Sequence, residues 1–239
     1  MLVSKIENGN IYLPHTKINL AGPSGIGKTT FAKWISEELD IPFVSGSYSD
    51  LIPSTAIQTH ESMISKDPSE IYAQDTQIVN LRNRLFGSHP DMVSDRSYLD
   101  SASYHINKLS HHVKECDTDS FIDICKSLTL VTISHLIIFS LSRSCMKKWE
   151  MEDNNKRVLN RFYQREISLL NLDQLSLWGF NVEAVDNDDR DMSSNYWGRI
   201  ILSQGDKTFY THVLVLGTID MDKRKSLIRK WFDKTGINV

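Results

Sequence analysis

Apolar residues change spacing several times along the chain, and each change marks an element. Lys17-Ile18-Asn19-Leu20-Ala21 is a short apolar run cut off by Gly22-Pro23, which predicts a strand. Phe31, Ala32, Ile35 and Leu39 then recur at helical spacing, and Ile41 to Ser47 predicts a second short strand, parallel to the first and opening into a polar loop. Tyr48 to Lys66 lacks periodicity, carries Pro53, is closed on its far side by Pro68, and reads as a mobile segment. Ile71, Ile78, Leu81 and Leu85 predict a helix from Pro68 to near Gly87. Asp91 to Asp95 predicts a strand that passes into a helix through Ala102, Ile106 and Leu109. Leu128 to Phe139 reads as a helix end, a brief turn and a central strand, with the strand running from His135 to Leu141. A charged helix is expected from about Trp149 to Leu170. Asn181 to Val185, after a turn at Gly179, is expected as the last core parallel strand. Phe209 to Gly217 and a helix through Leu227, Ile228, Trp231 and Phe232 should pack on the sheet, and Asn8-Gly9 marks a hairpin on the domain's edge.

Strands alternating with helices predict an α/β domain, a three-layer αβα sandwich with a central parallel sheet, whose ligand crevice lies at strand C-terminal ends. The expected organisation is one domain over 1–239, with a core over 17–185, a helical lid over 149–170, and a strand-helix extension over 192–239. With 40% apolar residues the chain can build a substantial core. The net charge of −3 argues against a protein that coats nucleic acid nonspecifically, while leaving room for a local basic groove. The most apolar stretch is too short and too polar to span a membrane, so no membrane partner is expected. Cys116, Cys125 and Cys145 are odd in number, lack metal-ligand spacing and follow no signal peptide, so they read as reduced cytoplasmic thiols. The acidic run Asp186 to Asp191 lacks the glycine and glutamate of a calcium loop and reads as solvated.

Chemistry concentrates in Gly22-Pro23-Ser24-Gly25-Ile26-Gly27-Lys28-Thr29, followed by Thr30. Gly, four residues, then Gly-Lys-Thr is the spacing of a phosphate-binding loop, and strand, loop and helix are the context it requires. Glycines let successive backbone N–H groups turn inward around a β-phosphate, and the following helix points its positive dipole end there. Lys28 should reach the β- and γ-phosphates of ATP, and the Thr29 hydroxyl should bind Mg²⁺. Asp95, at a strand end facing the loop, could help hold Mg²⁺ or serve an attacking hydroxyl, and Arg96 could neutralise phosphate charge. Arg157, Arg161 and Arg165 recur every fourth residue, which puts three guanidinium groups on one helix face, suited either to close over a triphosphate or to pair with nearby acids. Arg82 and Arg84 face either solvent or an acceptor.

GPSGIGKTT and DRSYLDSASY together resemble the nucleoside and nucleotide kinases of the phosphate-loop superfamily, particularly the thymidylate-kinase-like group and small bacteriophage kinases, over about Lys17 to Val185. The resemblance implies a central phosphate-loop strand, an arginine-rich lid, transfer from ATP with Mg²⁺, and Asp95 and Arg96 at the junction of donor and acceptor. It also implies, for a phage protein, work in the infected bacterial cytoplasm. The acceptor it implies is a deoxynucleoside monophosphate or 5-hydroxymethyluracil within DNA, the latter needing an exposed base and a basic approach to which Lys66, Arg82, Arg84 and Lys108 could contribute. A different class of function, an ATPase switch that drives a partner, requires adjacent acidic residues at a strand end, which Met92-Val93-Ser94-Asp95 matches poorly.

Overall fold

The computed structural model describes residues 5–7, 10–12, 15–52, 66–110, 118–140, 161–188, 193–204 and 207–237. In chain order the elements are β1 (Lys5–Glu7), β2 (Asn10–Tyr12), β3 (Lys17–Ala21), α1 (Lys28–Leu39), the short α2 (Tyr48–Leu51), α3 (Pro68–Gly87), β4 (Met92–Ser94), α4 (Tyr98–Leu109), α5 (Asp119–Thr132), β5 (His135–Phe139), α6 (Arg161–Leu177), β6 (Phe180–Asp188), β7 (Ser193–Gln204), β8 (Lys207–Leu216) and α7 (Met221–Thr235).

The strands form one sheet in which β3 pairs in parallel with both β4 and β5, so the strand that feeds the glycine loop is central. Beyond β4, Phe43 makes a single parallel bridge to Val93, all that the Ile41 to Ser47 strand contributes. Beyond β5 lies β8, in parallel register from His135↔His212 to Phe139↔Leu216. β7 runs antiparallel along β8 and carries β6 on its outer side. β1 and β2 pair antiparallel, and β2 joins β8 at Thr208 and Phe209, short of the stretch that β5 occupies.

The last core parallel position therefore belongs to β8, with the short β2 parallel beyond it, and not to Asn181–Val185, which lies in the antiparallel outer strand β6. The physical reason is burial. Val213-Leu214-Val215-Leu216 is apolar on both faces and is covered on both, as a central parallel strand must be. Val182 and Val185 of β6 are exposed, which an outer antiparallel strand tolerates. Side chains of the central strands alternate between two cores. Leu136, Ile138, Val213 and Val215 join Phe86, Tyr98, Phe121 and Trp178, while Ile137, Phe139, Leu214 and Leu216 join Phe31, Ile35, Ile228 and Trp231. Cys125 lies in the first of these cores, where burial pushes its thiol pKa up and keeps it protonated; Cys116 and Cys145 lie outside the described residues. Among the described residues no helix is long and apolar enough to cross a membrane.

Far from the glycine loop, at the start of β5, His135 stacks on its register partner His212 with ring centroids 5.0 Å apart, and Trp231 meets His135 edge-on. Burial, and then the neighbouring His212, hold His135 well below the usual histidine range. Burial, and then Arg199, bring His212 down to about 4, against a smaller opposing pull from Glu183. The unfolded chain takes up these protons near pH ~6.5, so acid favours unfolding through that window. Stability should fall between pH 6.5 and about 4, read as a lower urea midpoint at pH 5.0 than at pH 7.5, and His212→Phe should flatten the dependence.

Candidate functional site

Three glycines shape the loop, with Gly22, Gly25 and Gly27 at φ of 138°, 84° and 95°. Gly22 is also pressed against the end of β5, where an added Cβ would lie 2.6 Å from the Phe139 carbonyl oxygen. α1 starts at Lys28 with left-handed Gly27 as its cap, which has no side chain to cap the helix, and with no acid in its first turn. Helices α3, α4 and α7 instead cap themselves with Asp67, Ser97 and Asp220. The positive end of α1 is thus left to an anion supplied from outside the helix.

Side chains from three distant helices hold the loop's backbone at alternate residues. The Gly22 N–H donates to Asp100 Oδ1 of α4 at 2.9 Å, and the Ser24 N–H donates to Gln164 Oε1 of α6 at 2.7 Å. The Ile26 carbonyl accepts from the Arg224 guanidinium of α7 at 3.0 Å. Arg224 is buried, spans back to the Thr218 carbonyl at 2.6 Å, and lies over the rings of Phe139 and Phe31. Lys28 is folded inside the curve, where its ammonium donates to the carbonyls of Gly22 and Pro23.

Asp95 follows β4 and is buried. Its Oδ2 accepts from the Thr29 hydroxyl at 2.5 Å, its Oδ1 is buried without a hydrogen-bond partner among the described residues, and Arg96 donates to its backbone carbonyl at 2.9 Å. A hydroxyl beside a carboxylate with a spare oxygen is a set of hard oxygen donors that fits Mg²⁺, which takes one or two protein oxygens and completes its shell with phosphate and water.

Beside the loop is a cavity of about 290 Å³, walled by Ser24 and Lys28 on one side and reaching Tyr48 and Asp75 on the other. Arg82 and Arg96 both line it. Burial, and then the charge of Arg96, lower the Arg82 guanidinium to about 10, so it stays cationic at neutral pH. Its hydrogen bonds go to the Gly46 and Ser97 carbonyls and the Ser101 hydroxyl. Asp75 is buried, which alone would raise its pKa, but hydrogen bonds from His105 at 2.7 Å and from Lys108 outweigh burial and keep it ionised. Tyr104, whose hydroxyl meets Ser24 Oγ at 3.3 Å, is pushed up to about 12, mainly by burial, and remains a hydrogen-bond donor.

The structure sorts the arginines and lysines of the sequence reading. Arg82 and Lys108 are buried in the cavity wall and Arg84 is exposed, so they do not share a surface, while Lys66 donates to Gln74 at 3.2 Å. Arg157 lies outside the described residues, and Arg161 begins α6. Arg165 is exposed and does not line the cavity; the residue that α6 turns toward the loop is its neighbour Gln164. Thr30 is exposed on α1. Sequence reading missed Asp100, Gln164, Arg224 and Asp75. Asp100 lay within DRSYLDSASY, and Gln164 begins a buried polar stripe with Ser168 and Asn171 at helical spacing, a signal that periodicity could have supplied.

The deoxyadenosine kinase of M. mycoides, solved with bound dCTP, superposes with a TM-score of 0.55 over 92% of this chain and 100% of that one, at 13% identity. The chain has the fold of the phosphate-loop kinases. The NadR protein in complex with NR superposes with a TM-score of 0.50 at 10% identity, over 70% of this chain and 44% of that chain. Residues 18–81 match the model of the ATPase family associated with various cellular activities (AAA). No curated protein matches the sequence.

Gly22→Ala combines a strained φ with a 2.6 Å clash against backbone. It should lower unfolding free energy by roughly 1–3 kcal/mol in urea titration, and weaken binding of a fluorescent ATP analogue because the loop must shift from β5.

Proposed function

We propose that the chain is a magnesium-dependent kinase that transfers the γ-phosphate of ATP to a deoxynucleotide-type acceptor. The observation that carries this reading is the cavity beside the phosphate loop, which places cationic, acidic and phenolic side chains where a second substrate would meet the donor. The fold shared with a deoxyadenosine kinase supports it. In this reading the loop amides and Lys28 would hold the triphosphate, and Thr29 and Asp95 would hold Mg²⁺, which would supply charge neutralisation to the transferring phosphate. Arg96, in the cavity wall, faces the transferring group.

A free nucleotide or nucleoside is the favoured acceptor. The cavity's volume of about 290 Å³ is at the lower end of small-molecule sites. Its cations Arg82 and Lys108 are buried within it and not spread along an open groove. 5-Hydroxymethyluracil in DNA would have to be extruded to enter, and it is the second acceptor to test.

An ATPase that drives a partner is the alternative, favoured by the AAA match over residues 18–81. Against it, β4 runs into Asp95-Arg96, an acid followed by a cation, where such enzymes carry paired acids.

The test is transfer of labelled γ-phosphate from ATP with Mg²⁺ to deoxynucleosides, their monophosphates, and DNA containing thymine or 5-hydroxymethyluracil. Label on a nucleoside or monophosphate is expected. Label released only as inorganic phosphate, whatever the acceptor, overturns the kinase reading. Lys28→Ala should abolish transfer, and Asp95→Ala should reduce transfer more than it reduces ATP affinity.

A further inference from the structure

Asp100 stands apart from the other acids at the site. It lies in the first turn of α4, where the Ser97 hydroxyl accepts its N–H at 2.9 Å, it is 2% exposed, and it lines the cavity. Its two oxygens are treated unequally. Oδ1 accepts from the Gly22 N–H at 2.9 Å and from Asn171 Nδ2 at 3.2 Å, and Asn171 is itself held by the Ser103 hydroxyl at 2.7 Å. Oδ2 is buried and has no hydrogen-bond partner among the described residues. A carboxylate oxygen kept from both water and donors is costly, and such groups in native proteins have a cause.

The neighbouring acids are engaged elsewhere. Asp75 accepts from His105 and Lys108, and Asp95, whose Oδ1 is likewise buried without a partner among the described residues, does not line the cavity and accepts from the Thr29 hydroxyl on the side suited to the cation. Asp100 is the cavity acid with an oxygen in reserve, and its other oxygen grips the first residue of the phosphate loop.

We propose that Asp100 is the catalytic base, taking the proton of the acceptor hydroxyl at Oδ2. This rests on the kinase reading with an acceptor that attacks through a hydroxyl, such as a nucleoside; label found on monophosphates alone overturns it. The acceptor oxygen forms a bond to the γ-phosphorus of the nucleoside triphosphate, and its proton passes to Asp100 Oδ2. The bond from the γ-phosphorus to the β,γ-bridging oxygen breaks, and its electron pair leaves with the nucleoside diphosphate. The proton is returned to solvent as product departs. Because one carboxylate holds Gly22 through Oδ1 and the acceptor through Oδ2, the attacking oxygen is positioned relative to the loop that holds the phosphate. Arg82 and Arg96 in the same cavity wall offset the charge gathered there.

Asp100→Asn tests this, because asparagine keeps an oxygen for the Gly22 N–H while losing the basic carboxylate. At saturating substrates its turnover should fall at least about 100-fold, the usual range for loss of a general base, while affinity for a fluorescent ATP analogue stays within about threefold of wild type. Asn171→Ala is the control. It removes one bond to Oδ1 and leaves the carboxylate, and should cost less than about tenfold in turnover. Three results with the variants also overturn the inference: turnover of Asp100→Asn near the wild-type value, loss of ATP affinity and thermal stability in step with its activity, or an equal loss in Asn171→Ala. Wild-type protein that phosphorylates no acceptor at all sinks the kinase reading instead, before any variant is compared.

Discussion

A glycine-rich loop cannot hold its own curve, because the residues that allow tight turns also allow many other shapes. Here the backbone from Gly22 to Ile26 is fixed from outside, by a carboxylate at Gly22, an amide at Ser24 and a guanidinium at Ile26. Each anchor comes from a different helix, and each helix reaches the loop because the sheet puts β3 at the centre with α4 and α6 over one face and α7 over the other. The packing of both cores therefore bears on the geometry of a few peptide groups. In a site of this kind, preorganised N–H groups do more for catalysis than groups that must reorganise when substrate arrives.

The same anchors connect the glycine loop to the cavity beside it. Asp100 touches the loop and lines the cavity, and Ser24 meets Gln164 through its backbone and Tyr104 through its side chain. The electrostatics are matched in the same way, since the buried acid Asp75 already has His105 and Lys108, while Arg82 is bonded to neutral oxygens.

What could be read from the sequence was local. The strand-loop-helix around Lys28 is contiguous, its spacing is set by the chemistry of phosphate, and the helices from Pro68 and Tyr98 follow from apolar periodicity. Strand order was less legible. Asn181–Val185 and Phe209–Gly217 both read as strands, and only burial on one face or two separates an outer antiparallel strand from a central parallel one. β7, with its mixture of polar and aromatic residues, gave no clear period of two. The anchors Asp100 and Arg224 were hidden because a single polar side chain in a helix carries no mark of which distant backbone group it will meet. Arg82 was ambiguous for a related reason, since a guanidinium buried against carbonyls and one exposed to solvent look alike in one dimension.

The bond between Arg224 and the Ile26 carbonyl joins residues 198 positions apart. At the usual synthesis rate of ~5–20 residues per second, roughly 10–40 s separate the appearance of its two partners at the ribosome. For most of that interval β5 is either unmade or without its neighbour β8, and throughout it the glycine loop lacks at least one of its three anchors. The first motif to be translated is among the last to be completed, and an emerging chain stays unfinished at its nucleotide site until nearly all of the domain has been made.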